Sequence, residues 1–282
     1  MNAHRKWIVA LLLGALAGTV CLAQWRGGGR RGSGALEGRG AVPEWSNEPG
    51  FEKDTFTFVR IQYDSGYGRG WGRGGGGGWR TDYRDADLNF SYRLQQLTAL
   101  KVDPEGKILR LTDPELFNYP FIYIVEPGRL EFHEDEVKCL RRYLLSGGFL
   151  MIDDFWGEAE YENLHEEMKR VFPEREAQEL PLEHPIFHCV FDLKQKPQIP
   201  NYELGEASQY NGGITWERPD AKNPDYRAIF DDKGRMMVII CHNTDNGDGW
   251  EREGEYEYYF REFSEKKAYP LGINIVFYAM TH

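Results

Sequence analysis

Runs of consecutive apolar residues alternate with amphipathic stretches along most of this chain, and that alternation predicts an α/β fold. Thr55 to Tyr63 (TFTFVRIQY) is rich in β-branched and aromatic residues, as strands are. Phe121 to Val125 (FIYIV) and Phe149 to Ile152 are continuously apolar, the pattern of strands buried on both faces of a parallel sheet. Phe90, Leu94 and Leu97 recur at helical spacing after Asp85, which is suited to cap a helix start. Glu134 to Leu145 presents Val137, Leu140 and Leu144 on one face, and Gly147-Gly148 stops it. Glu158 to Val171 is acidic early and basic late, which suits the helix dipole. Further strands are predicted at Ile108 to Leu111, His184 to Phe191, Arg227 to Phe230 and Arg235 to Cys241, the last after an Asp231-to-Gly234 turn. Tyr269-Pro270 opens a closing helix with Leu271, Ile275 and Tyr278 inward. Strand and helix in this order predict a mostly parallel sheet with helices on both faces.

The patterned region occupies residues 42–282 and is read as a single domain. At 41% hydrophobic and 28% charged residues, the chain can bury a substantial core. The preceding residues have a different character. Arg5 and Lys6 precede an apolar stretch, Trp7 to Val20, that is too short for a stable membrane span. Small residues follow at Cys21 and Ala23. Residues 1–23 therefore read as a signal peptide cleaved after about Ala23, which implies export to the periplasm or cell envelope with no transmembrane span in the mature chain. A lipid anchor at Cys21 and an uncleaved anchor are the alternatives; Gly18-Thr19-Val20 lacks the small residue expected just before a lipidated cysteine. Residues 24–41 are Gly/Arg-rich without apolar periodicity and read as a flexible linker.

Charge narrows the partners. The formal net charge is −11; losing Arg5 and Lys6 makes it −13, and losing Arg26, Arg30, Arg31 and Arg39 along with Glu37 leaves the domain at −16. So acidic a domain disfavours nucleic acid and anionic lipid as its main partners. Outside the leader, Cys139, Cys189 and Cys241 remain, an odd number that allows at most one internal disulfide.

In open parallel sheets, ligands bind beyond the carboxyl ends of the strands, and this rule selects the candidate chemistry. Four segments leave such ends. The first is the glycine-rich run from Ser65 to Trp79, which lacks the G-K-[ST] of a phosphate loop. It reads as a mobile lid or a plain loop, and Arg69, Arg73 and Arg80 would make it an anion-facing flap. Asp82 and Asp85 follow it. The second segment begins at Glu126. The third is Asp153-Asp154-Phe155-Trp156, whose paired acids suit a divalent cation or a polar substrate. Alternation along the strand lets at most one of the pair face a pocket. The bland reading is a capping acid, a surface ion pair and a core tryptophan. The fourth segment, HNTDNGDGWE from His242 to Glu251, holds Asn243, Asp245, Asn246, Asp248 and Glu251. It lacks the full calcium-loop spacing and reads as an Asx-rich turn. Candidate ligand-binding residues are thus Arg80, Asp82, Asp85, Glu126, Asp153, Asp154, Trp156, Asn243 and Asp245. Cys241 and His242 are strand neighbours pointing opposite ways, and no nucleophile elbow is found, so no catalytic residue is named.

These segments resemble a known family. FTFVRIQYDSGYG, GGWRTDYRDADLNFSYRL, NYPFIYIVEPG, LSGGFLMIDDFWG, LEHPIFHCVFDL and HNTDNGDGWE occur in the order found in the bacterial domain of unknown function 4159 (DUF4159), from about Phe51 to His282. The resemblance implies a flavodoxin-like three-layer fold of the class I glutamine amidotransferase type. It does not imply that activity, because FIYIV runs into Glu126-Pro127-Gly128 with no cysteine where the nucleophile would stand. Relatives fused to membrane and von Willebrand-type segments imply envelope-associated assemblies. The resulting expectation is a non-catalytic domain binding a small polar ligand, such as a sugar, or an envelope protein. The alternative is a carboxylate- or metal-dependent hydrolase acting on a glycan or ester. Metal and cofactor identity stay open.

Overall fold

A computed structural model describes residues 42–50, 54–65 and 78–282. The leader, the linker, Cys21 and the loop arginines Arg69 and Arg73 lie outside the described residues. Those described belong to one compact unit, Arg39–His282.

The strands are β1 (Thr55–Phe56), β2 (Val59–Ile61), β3 (Asp64–Ser65), β4 (Lys101–Val102), β5 (Lys107–Leu109), β6 (Phe121–Val125), β7 (Leu130–Glu131), β8 (Phe149–Asp153), β9 (Gln178–Glu179), β10 (Asp225–Phe230) and β11 (Met236–His242). The helices are α1 (Asp85–Leu97), α2 (Glu134–Leu145), α3 (Gly157–Val171), α4 (Tyr202–Ala207), α5 (Asn246–Glu251), α6 (Glu257–Tyr259) and α7 (Tyr269–Thr281). Seven strands form the main sheet in the order β5-β2-β6-β8-β11-β10-β9. The five from β5 to β11 are mutually parallel, and β10 and β9 add an antiparallel edge. β1 pairs with β4, and β3 with β7, in separate ribbons.

The expected alternation holds across the central strands, whose side chains feed two cores. Phe121, Tyr123 and Val125 join Phe149, Met151, Ile239 and Cys241 on one face, under α1 and α7. Ile122 and Ile124 join Leu150, Ile152, Val238 and Ile240 on the other, under α2 and α3. Helices therefore cover both faces, which explains why β6 and β8 are apolar at every position up to Asp153.

The sheet order creates one reversal point. From β2 the chain crosses through α1 to β5 on one side, then returns past β2 to β6 and continues through α2 and α3 to β8 and β11 on the other. Strands β2 and β6 are the neighbours whose connections leave in opposite directions, and in open parallel sheets ligands bind beyond the carboxyl ends at such a point.

Several expectations change. Thr55 to Tyr63 is two strands, because the chain passes from pairing with β4 to pairing with β5 at Thr57-Phe58. Ile108 to Leu111 moves to Lys107–Leu109. His184 to Phe191 is not a strand, so Cys189 does not lie in one. Pro185 has no N–H, and Pro185–Phe187 forms a 3-10 turn capped by the His184 ring. Asn274 Oδ1 then accepts from Val190 and Phe191 N–H at 3.0 and 2.8 Å. Burial of Ile186 and Phe187 produced the apolar signal without a ladder. Asp85 is the first residue of α1, not its cap. The closing helix starts earlier than Tyr269: α6 runs through a π-helical segment, Phe260–Ala268, into α7. Wider π turns come just before Pro270, which cannot donate to the preceding turn. Cys139, Cys189 and Cys241 are all free thiols. No helix among the described residues is long and apolar enough to cross a membrane.

Candidate functional site

Four parallel strands deliver an acid to the same end of the sheet. Asp82 lies between β2 and α1, Glu126 follows β6, Asp154 follows β8 and Asp245 follows β11. Each of these four connections also holds a non-glycine residue in the left-handed region: Asp82 (φ 60°), Glu126 (φ 49°), Asp154 (φ 57°) and Asn243 (φ 60°). Left-handed backbone costs an L-residue about 1–2 kcal/mol, less for Asp and Asn, so the rest of the fold must hold these corners in place.

Asp82, Asp154 and Asp245 each offer a carboxylate oxygen within 4.8 Å of the other two. Asp154 and Asp245 are 8% and 5% exposed. Asp154 accepts one hydrogen bond, from Trp156 Nε1 at 3.2 Å, and Asp245 accepts one, from Asp248 N–H at 2.7 Å. The Asp82 side chain accepts none, and its Oδ2 is sealed from solvent. That oxygen is pressed against Gly247: a Cβ built there would stand 2.2 Å from it. Burial raises all three carboxyls well above the usual range, and neighbouring acids add to it: Asp248 and Glu251 for Asp82, Glu126 and Asp82 for Asp154, Asp154 and Asp248 for Asp245.

The supports are built from the same strand ends. Arg60, fully buried on β2, donates to Asp87 of α1 through Nε at 3.1 Å and through Nη2 at 2.5 Å. Its Nη1 holds the carbonyls of Trp79 and Thr81 at 3.1 and 2.9 Å, fixing the segment that leads into Asp82. Burial opposes the Arg60 charge, but Asp87 outweighs it and the guanidinium stays ionised. Asp153, the last residue of β8, faces the other way from Asp154. It accepts from Asn246 N at 2.9 Å, Gly247 N at 3.2 Å, Asn246 Nδ2 at 2.7 Å and Tyr123 Oη at 3.1 Å. Burial raises its pKa to about 6 against the pull of those donors. Asp153 thus anchors the first turn of α5, and Asp245 caps it.

The other candidates take separate places. Glu126 accepts from Gly78 N–H, and burial raises its carboxyl while that N–H and the Thr81 hydroxyl pull it back. Asn243 is a brace: its Oδ1 accepts from Gly157 N at 2.9 Å and its Nδ2 donates to the Asn223 carbonyl at 3.0 Å. Arg80 lies 5.6 Å over the Trp79 ring. Asp85 adds its charge to the field around Glu251.

Two further acids complete the cluster. Asp248 and Glu251 form a second triad with Asp82, again with oxygens within 4.8 Å of one another. Asp248 Oδ2 accepts from Tyr202 N–H at 2.5 Å. Arg252 Nε lies 2.6 Å from Glu251 and 3.4 Å from Asp248. Burial still raises Glu251 to about 7. The expectation of an Asx-rich turn hid these residues. The segment is a helix from Asn246, and Asp245, Asp248 and Glu251 recur every three residues, the spacing that puts side chains on one helical face. Glu217 stands at the exposed rim, where its Oε1 accepts from Asn201 N at 2.9 Å and Nδ2 at 2.8 Å.

Fold and site together define an α/β domain that gathers acidic side chains at the carboxyl ends of a parallel sheet. The chain belongs to the family described as Domain of unknown function (DUF4159), whose family model matches residues 57–280. No curated protein matches it.

Proposed function

We propose that this is an exported binding domain of the cell envelope whose strand-end acids hold a divalent cation, through which a small polar ligand or a partner protein is captured. The observation that carries this reading is the Asp82–Asp154–Asp245 triad: three converging carboxylates, two of them more than nine-tenths buried, with no basic side chain among the described residues bonded to any of them. Each such pair, fully ionised, repels by about 3.5 kcal/mol at 4.8 Å and an effective dielectric of about 20. Protons or a cation must offset that, and at neutral pH a hard, oxygen-loving ion such as Ca2+ or Mg2+ suits an all-carboxylate donor set.

The reading includes a flavodoxin-like, glutamine amidotransferase-like three-layer fold. Numbered along the chain, the five parallel strands stand in the order 2-1-3-4-5, with the acids at the reversal point, and both features support it. Export through residues 1–23, with cleavage after about Ala23, belongs to the same proposal, as does the linker at 24–41. The second reading is a carboxylate- or metal-dependent hydrolase acting on a glycan or ester. Glu251, raised to about 7, favours it, because a carboxyl with that pKa exchanges protons readily at neutral pH.

Calorimetric titration with Ca2+ and Mg2+ tests the cation. Saturable binding by the wild-type protein that disappears in Asp154→Asn/Asp245→Asn is the expected result. No binding of either ion, with the protein folded, overturns the proposal. Turnover of glycan or ester substrates that Glu251→Gln abolishes would replace the binding reading with the hydrolase.

A further inference from the structure

The two carboxylate triads share one member, and we infer that Asp82 bridges two divalent cations, a tighter one among Asp82, Asp154 and Asp245 and a weaker one among Asp82, Asp248 and Glu251. This inference rests on the cation reading above and extends it from one ion to a pair. In each triad the oxygens lie within 4.8 Å of one another. Oxygen ligands about 2.3–2.6 Å from a single Ca2+ can be no more than about 5 Å apart, so each triad has the dimensions of one ion, and only Asp82 belongs to both. A carboxylate with one oxygen on each ion holds such pairs about 3.5–4 Å apart.

The hydrogen bonding independently points the same way. Asp82 uses neither oxygen in a hydrogen bond, although Oδ2 is sealed from solvent. Asp154 and Asp245, 8% and 5% exposed, each leave one oxygen without a donor. Glu251 Oε2 is likewise sealed and makes no hydrogen bond, although the Arg252 guanidinium lies 2.6 Å away and the Asp248 carboxyl stands beside the same side chain. Buried carboxylate oxygens are ordinarily satisfied, and the two that are sealed without a donor, on Asp82 and Glu251, belong to the same triad, while Asp82 is also a member of the other.

Arg252 sets the order of the two ions. It lends one positive charge to Asp248 and Glu251, while among the described residues no basic side chain bonds Asp154 or Asp245. The first triad therefore attracts an ion more strongly. The second ion must compete with Arg252, whose Nε has to leave the carboxylates or share them.

Manganese decides the matter, because Mn2+ accepts the same oxygen ligands and reports its own surroundings by electron paramagnetic resonance. Titration of the full-length protein is expected to end at two Mn2+ per chain, with the six-line spectrum of an isolated ion giving way to the broadened signal of a spin-coupled pair. Glu251→Gln should leave one uncoupled Mn2+, with the first affinity changed less than threefold and the second lost. Asp82→Asn should abolish the coupled signal and weaken both ions by at least tenfold. A single uncoupled Mn2+ in the wild-type protein overturns the pair and leaves the one-ion reading standing. Two ions without coupling overturn the bridge. No bound Mn2+ removes both this inference and the cation site beneath it. Because the wild-type stoichiometry and spectrum are decisive alone, a variant that failed to fold would not rescue the idea.

Discussion

Replacing Asp82 with Asn should make the metal-free protein more stable and the metal-loaded protein less so. Asparagine keeps the shape and tolerates the left-handed backbone that Asp82 adopts at φ 60°. It removes a charge that stands within 4.8 Å of Asp154 and Asp245 and of Asp248 and Glu251. One fully ionised pair at that distance costs about 3.5 kcal/mol at an effective dielectric of about 20. The raised carboxyls avoid part of this by holding protons, so the realised gain is about 2 kcal/mol. For a domain of this size that shifts Tm upward by about 4–8 °C. With a cation present the sign reverses. The wild-type protein gains about 2.7 kcal/mol at a hundredfold excess over Kd, and the variant forfeits most of it. The assay is thermal denaturation at pH 7.5 in EDTA and in CaCl2 at about a hundredfold the wild-type Kd found by calorimetry. A variant that melts lower than wild type in EDTA, or that keeps the full calcium-induced rise, refutes the reasoning.

Other consequences follow from the same geometry. Arg60→Leu strands Asp87 in the core and should cost about 3–5 kcal/mol, read as a lower urea midpoint; Arg60→Leu/Asp87→Leu should recover most of it, and failure to recover would mean that the carbonyl bonds to Trp79 and Thr81 dominate. Gly247→Ala puts a methyl 2.2 Å from Asp82 Oδ2, so the carboxylate must move; calcium affinity should fall at least about tenfold, about 1.4 kcal/mol, in calorimetry. The metal-free fold should lose stability as pH rises from about 4 to about 7. Folding raises Asp153 to about 6 and Glu251 to about 7, so the native state holds protons that the unfolded chain releases. The Glu251 shift alone corresponds to about 3 kcal/mol across that window. A urea midpoint that climbs over this range would show that these acids are not the dominant titrating groups. Saturating calcium should flatten the Glu251 part of the fall, because the ion displaces that proton, while Asp153, which anchors α5 outside the cluster, keeps its own.

What the sequence by itself determined was the parallel core and the places where acids leave it. Strands β6 and β8 announce themselves because residues buried on both faces must be apolar at every position, and no neighbour is needed to see that. The chain order then places Glu126, Asp154 and Asp245 at strand ends, with Asp82 before the first long helix. Tertiary structure alone decided which of those acids meet. Asp153 and Asp154 are adjacent and chemically alike. One spends its carboxylate on the first turn of α5 and the other turns into the cluster, the chain taking a left-handed corner at Asp154 itself. Asp248 and Glu251 looked like turn residues because six residues of helix, Asn246–Glu251, carry too few apolar positions to show a period. That helix exists because Asp153, distant in the chain, supplies the acceptors its first N–H groups require. Long-range hydrogen bonding of this kind leaves no local pattern, so the sequence shows where charge emerges from the sheet, and packing decides what it faces.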